Sequence, residues 1–139
     1  GAPKGKVKKG ADRGIDGRLT FRLDDKGKYG TVLISVKGGH VHAHDVRDLR
    51  GTVEREKAAG GVLLSLEPFS KPMRTEAAAA GFFETPWGKY PRLQLLTVAE
   101  LLAGARVQYP TITQGNVTFK RAAKVTKGDA PKLDLFGDA

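Results

Sequence analysis

The sequence predicts an α/β domain with a mixed central β-sheet flanked by helices. A period-two stretch and a β-branched apolar run are joined by a glycine-rich turn, and a capped amphipathic stretch then separates that run from a second apolar one, VLLSL. The 139 residues, 40% hydrophobic, are enough to bury one core rather than two.

Residues 1–14 open with GAPKGKVKKG and form a basic, glycine-rich leader. From Ile15 the chain alternates Ile15, Gly17, Leu19, Phe21 and Leu23 against Asp16, Arg18, Thr20 and Arg22, the pattern of a strand with one face on a core. The segment DDKGKYG, residues 24–30, is the turn, since glycine supplies the unusual backbone angles that a reversal needs. Thr31 to Lys37 is almost continuously apolar and β-branched, which predicts a central strand covered on both faces. A turn centred on Lys26 and Gly27 sets Asp16 opposite Lys37 and Arg18 opposite Ser35, with Cβ atoms about 4.5–5.5 Å apart. A register shifted by two sets Asp16 opposite Ser35 instead, on the same face.

Gly38 and Gly39 end that strand, and Asp45 caps a helix whose Val46, Leu49 and Val53 lie at helical spacing. Gly60 and Gly61 stop the helix. Val62 to Leu66 is a buried-type strand, so strand, helix and strand make one right-handed crossover with parallel pairing. Ser70 caps a second helix with Pro72 in its first turn and Gly81 at its end. Arg92 to Leu96 is the next strand, and Thr97 with Glu100 forms a capping box for a short third helix. Trp87, in ETPWGKYP, reads as a loop anchor over the core. The core thus runs over 15–109. Residues 110–139 form a polar, basic C-terminal tail that is expected to be mobile apart from an edge strand at Val117 to Phe119.

Lys and Arg number 24 against 15 Asp and Glu, giving a pI near 9.9, a balance suited to phosphate backbones. Lysines and arginines are dense from Lys4 to Lys9 and from Lys120 to Lys132. Arg13, Arg18, His40, Arg47 and Arg50 are candidate nucleic-acid contacts; for Arg47 and Arg50 a salt-bridged helix face is the competing reading. The absence of cysteine rules out disulfides and thiolate metal sites. With no signal-peptide pattern and no membrane-length apolar run, the expectation is a cytoplasmic location. His40, His42 and His44 would suit Zn²⁺ on a strand. Their place between a glycine pair and a helix cap predicts a loop or helix entry instead, and with it contact to DNA or solvent.

GADRGIDG at 10–17, ISVKGG at 34–39 and the run VRDLRGTVEREKAAGGVLLSLEPFSKPMRTEAAAAGFF at 46–83 together resemble the PD-(D/E)XK nuclease superfamily. The likeness is to its Mrr-like restriction endonuclease branch, the kind found beside bacterial DNA methyltransferases, and it spans about residues 8–109. It implies a restriction-endonuclease-like fold and a Mg²⁺- or Mn²⁺-dependent endonuclease acting on double-stranded DNA in a restriction-modification or defence system, with an associated DNA methyltransferase as a candidate partner; a homodimer is a further candidate that the sequence leaves open. Asp16 then takes the metal-binding role, aided by the backbone carbonyl of Val36, while Lys37 assists the attacking water. The second acid falls on Ser35, a departure, because a neutral hydroxyl is a weaker ligand for a hard cation than a carboxylate. Asp12, Glu54 or Glu56 would have to compensate. The superfamily's usual first helix has no counterpart in the short leader.

Three functions follow from the sequence. The first is a metal-dependent DNA endonuclease using Asp16, Ser35 and Lys37. The second is a DNA-binding module whose site has decayed. The third is an interaction domain whose Leu133, Asp134, Leu135 and Phe136 resemble the short motif that docks bacterial proteins on the replication sliding clamp, with Lys132 where a glutamine usually leads. Against a catalytic role stands an ordinary cross-strand Asp–Lys pair, which contributes about 0–1 kcal/mol when exposed.

Overall fold

A computed structural model describes residues 14–110 and 116–119. The elements, in chain order, are β1 (Gly17–Arg22), β2 (Tyr29–Lys37), α1 (Ala43–Arg55), β3 (Gly60–Ser65), α2 (Lys71–Ala79), β4 (Phe82–Thr85), β5 (Gly88–Pro91), β6 (Leu93–Thr97), α3 (Val98–Leu102) and β7 (Asn116–Phe119). The main sheet has the order β6-β3-β2-β1-β7. Its β2, β3 and β6 are parallel, whereas β1 runs antiparallel to both β2 and β7. This is the mixed, helix-flanked sheet of the restriction-endonuclease-like architecture. The edge strand expected at 117–119 is present as β7 beside β1. Among the described residues no helix is long and apolar enough to cross a membrane.

Alternation along the central strands divides the core into two layers. Leu33 and Leu63 pack with Val46, Leu49 and Val53 of α1 and Met73 and Ala77 of α2. On the other face, Leu19, Phe21, Val32, Ile34 and Val62 pack with Phe83, Leu101, Val107 and Tyr109. Burying a side chain such as Leu33 or Phe21 contributes about 1.5–3 kcal/mol, so these layers hold the sheet together. The sequence pattern does not foretell the small β4–β5 hairpin. That hairpin seats Phe83, whose ring lies 5.7 Å from Phe21 and 5.6 Å from Tyr90.

The first hairpin pairs Arg22 with Tyr29 and Gly17 with Ile34. This is the alignment shifted by two residues, which takes Asp16 away from Lys37. The turn chemistry explains the shift. The Asp24 carboxylate accepts N–H bonds from Lys26 and Lys28, both at 2.9 Å, while Leu23 donates to the Lys28 carbonyl at 2.8 Å. The reversal is therefore closed over Asp24–Gly27, with Gly27 at φ +94°. Those two amides hold the Asp24 carboxyl below the usual carboxylate range. Because the folded-state value is lowered, the turn's contribution is present above the ordinary carboxylate range and is lost as pH falls through the lowered value. Asp24→Asn should accordingly flatten the acid limb of a stability-against-pH curve. An unchanged acid limb would show that this turn is not held by ionised Asp24.

α1 ends at Arg55 with Glu56 as its C-cap and Lys57 at φ +57°, a left-handed residue, and Ala58 donates back to the Val53 carbonyl at 2.9 Å. Gly60 and Gly61 are therefore not the helix stop; they lie inside β3, where neighbours approach closely. Ile15 packs in the helix-side layer, apart from Leu19 and Phe21. The Asp16 N–H donates at 2.7 Å to Ile34, the residue that Gly17 also pairs with, so two residues face one, as at a β-bulge.

Candidate functional site

Asp16, Ser35, Lys37 and His40 lie around the carboxyl end of β2 and the approach to α1. Open α/β sheets commonly bind ligands near this end of their parallel strands. Gly14, at φ +80°, turns the chain so that its carbonyl accepts from Ser35 Oγ at 3.0 Å. Asp16 Oδ2 accepts from the Val36 backbone N–H at 2.8 Å. The carboxylate thus takes the place of a strand partner where β1 leaves the ladder. Ser35 is buried, at 5% exposure, and its hydroxyl serves the same stitch. If this stitch is structural, Asp16→Ala should lower stability by about 1 kcal/mol, while Asp16→Asn, which keeps an acceptor oxygen, should stay close to wild type. Chemical denaturation of the two variants checks this, and equal stability of Asp16→Ala and wild type would refute it.

Lys37 turns elsewhere. Its Nζ lies 3.9 Å from Asp45 Oδ1, and among the described residues no ion pair joins it to Asp16. Asp45 is not the helix cap that the sequence suggested; His42 is the N-cap. Asp45 stands three residues later and accepts the His42 N–H at 2.8 Å through Oδ2. Its carboxylate also lies 3.7 Å from His42 Nδ1 and 3.7 Å from His44 Nε2. Asp45 is the hub of this corner, and sequence reasoning missed it as a site residue. The available signal was the spacing H-x-H-x-H-D at 40–45, in which the helix-start reading absorbed the acid. Glu67, which follows β3, was also missed; its Oε1 lies 3.1 Å from His40 Nδ1.

The other candidates are dispersed. Glu54 pairs with Arg50 at 3.5 Å along α1, and Glu56 pairs with Arg18 at 3.4 Å. Arg47 reaches Glu76 of α2 at 3.3 Å. The salt-bridged helix face therefore describes Arg47 and Arg50. Among the described residues, one group of His, Asp and Glu side chains converges closely enough to hold a metal ion: His42, His44 and Asp45, with ligand atoms within 4.8 Å of one another. Neither Asp16 nor Glu54 belongs to it. Asp12, Arg13 and the segment Leu133, Asp134, Leu135 and Phe136 lie outside the described residues.

A family model described as NACHT-associated inactive Restriction Endonuclease 1 matches residues 4–103. No curated protein and no solved structure matches the chain. The family finding corrects two expectations. The match is to this family and not to the Mrr-like branch, and the description "inactive" overturns the reading of the chain as an active deoxyribonuclease. The geometry supplies a physical reason. The second acid is replaced by a buried serine, a neutral side chain that donates to the Gly14 carbonyl.

Proposed function

The chain belongs to the NACHT-associated inactive restriction endonuclease 1 family, and from that premise we propose that it binds double-stranded DNA without cutting it, through the basic stretches of residues 1–13 and 120–132. The distribution of charge carries this reading. Of the net +9, residues 14–110 account for +3, with 14 Lys and Arg against 11 Asp and Glu; the other +6 belongs to 1–13 and 111–139. Within the sheet domain, Arg18, Arg47 and Arg50 each face a carboxylate, which weakens their pull on phosphate. The flanking lysines have far fewer acids near them in sequence. The family's description also makes a NACHT-containing protein, rather than a methyltransferase, the natural setting for such a module.

The test is a mobility-shift titration on plasmid and duplex DNA with Mg²⁺ present. A shift without nicking is expected, with affinity falling as salt rises because each neutralised phosphate releases counterions. Replacing Lys4, Lys6, Lys8 and Lys9 by glutamine should make the salt slope shallower by about 0.9 for each phosphate that is no longer neutralised. An affinity indifferent to salt would remove DNA as the ligand. Nicking that disappears in Asp16→Ala would overturn the non-cutting reading.

A further inference from the structure

We propose that the corner between β2 and α1 is a binding site for a borderline-soft divalent metal ion, Zn²⁺ by preference, held by the imidazoles of His42 and His44 and the carboxylate of Asp45. The site is separate from the Asp16 position that the nuclease resemblance would use, and it does not depend on DNA binding.

The ligand chemistry is concentrated to an unusual degree. The chain has three histidines and no cysteine, and all three histidines fall within residues 40–44. A zinc site with imidazole ligands from this chain therefore has to draw them from this corner. Two imidazoles and one carboxylate, with an open fourth position, form a set that zinc accepts. Mg²⁺ favours oxygen ligands and near-octahedral geometry, which this corner does not offer.

The distances are close to what the ion requires. Zinc bonds of about 2.0–2.2 Å in a tetrahedral site put neighbouring ligand atoms roughly 3.3–3.6 Å apart. His42 Nδ1 lies 3.7 Å from Asp45 Oδ2 and His44 Nε2 lies 3.7 Å from Asp45 Oδ1, and one ligand atom from each of the three residues falls within 4.8 Å of the others, a set that has to contract by up to about 1 Å around an ion. The two rings are stacked, with centroids 5.3 Å apart and planes 6° from parallel, so at least one ring must rotate to aim its lone pair at a shared ion. Both side chains are more than half exposed and can turn without disturbing the core. Asp45 is different. It is 13% exposed and fixed by the His42 N–H at 2.8 Å, so it is the preorganised ligand, oriented by the helix start itself.

Two neighbours shape the site. The Lys37 ammonium lies 3.9 Å from Asp45 Oδ1, a long, partly exposed ion pair of the weak kind; an incoming cation would displace it. His40, whose ring centroid is 6.4 Å from that of His42, is held by Glu67. The fourth position is thus left to water or to His40 once it is released from Glu67.

The experiment is a Zn²⁺ titration of the full chain, prepared without a histidine tag, by calorimetry and by competition with a chromophoric chelator. One Zn²⁺ per chain is expected, with Kd of about 10 µM or tighter, and with Mg²⁺ much weaker. His44→Gln and, separately, His42→Gln should each weaken binding by at least about tenfold, with circular dichroism confirming that the helix is retained. Lys37→Met should tighten binding, since it removes the cation that competes for Asp45. NMR signals of the His42 and His44 imidazoles should shift on addition of metal. Zn²⁺ affinity unchanged in both histidine variants, equal affinity for Mg²⁺, or no saturable binding below about 1 mM would overturn the proposal.

Discussion

Replacing Gly60 by alanine is expected to lower stability by about 3 kcal/mol, with valine costing more. Gly60 opens β3, every residue of which is buried. A Cβ built there would lie 2.6 Å from the carbonyl oxygen of Arg92, and that oxygen accepts the Gly61 N–H at 2.8 Å. A backbone carbonyl cannot rotate aside as a flexible side chain can. The chain at Arg92 would have to move, loosening the point where β3 and β6 begin to pair. Gly51 is the matching control: it lies within α1 with nothing within 4 Å of a built Cβ. Gly51→Ala should raise stability by about 0.5–1 kcal/mol through helix propensity. Urea denaturation with an unchanged m-value measures both. If Gly60→Ala unfolded at the wild-type midpoint, β3 and β6 could not approach as closely as described.

Ser35→Asp is expected to cost about 3 kcal/mol at neutral pH rather than to restore a metal site. The substitution puts back the acid that endonucleases of the resembled superfamily carry at this position. Here, however, the side chain is 5% exposed and donates to the Gly14 carbonyl at 3.0 Å. An ionised carboxylate has no proton to donate, so it would set a buried negative charge against a carbonyl oxygen, with the Asp16 carboxylate engaged by the next residue's amide. Ser35→Ala removes only one hydrogen bond and should cost about 1 kcal/mol. Lowering the pH toward about 4 should narrow the gap between the two variants, because a protonated acid regains a donor. Wild-type stability of Ser35→Asp at pH 7, or its stabilisation by Mg²⁺ together with DNA nicking, would show that the pocket still fits a catalytic carboxylate.

Much of the fold was legible because it is encoded locally. Periodicity placed Leu19 and Phe21 on one face of β1, and helical spacing placed Val46, Leu49 and Val53 against the sheet. The Thr97–Glu100 capping box and the Ser70 cap with Pro72 are interactions within four residues, and both form as the sequence indicates. The candidate site was legible only as a neighbourhood. Asp16, Ser35 and Lys37 do sit near one another in the chain path, but their partners are Val36, Gly14 and Asp45.

The order of amino acids was enough to specify most of the strands and helices, which side chains they bury, and that the second acidic position is a serine. Folding in three dimensions set the rest: the two-residue register of the first hairpin, the change of side at Ile15, the use of Gly60 and Gly61 for close approach, and the gathering of three polar side chains around Asp45. The division has a physical origin. Burial pattern repeats with the period of the backbone and can be read from neighbours in sequence. Register and side-chain partnership depend on where two distant segments meet, and there a single turn carboxylate such as Asp24 can set the alignment of every residue that follows.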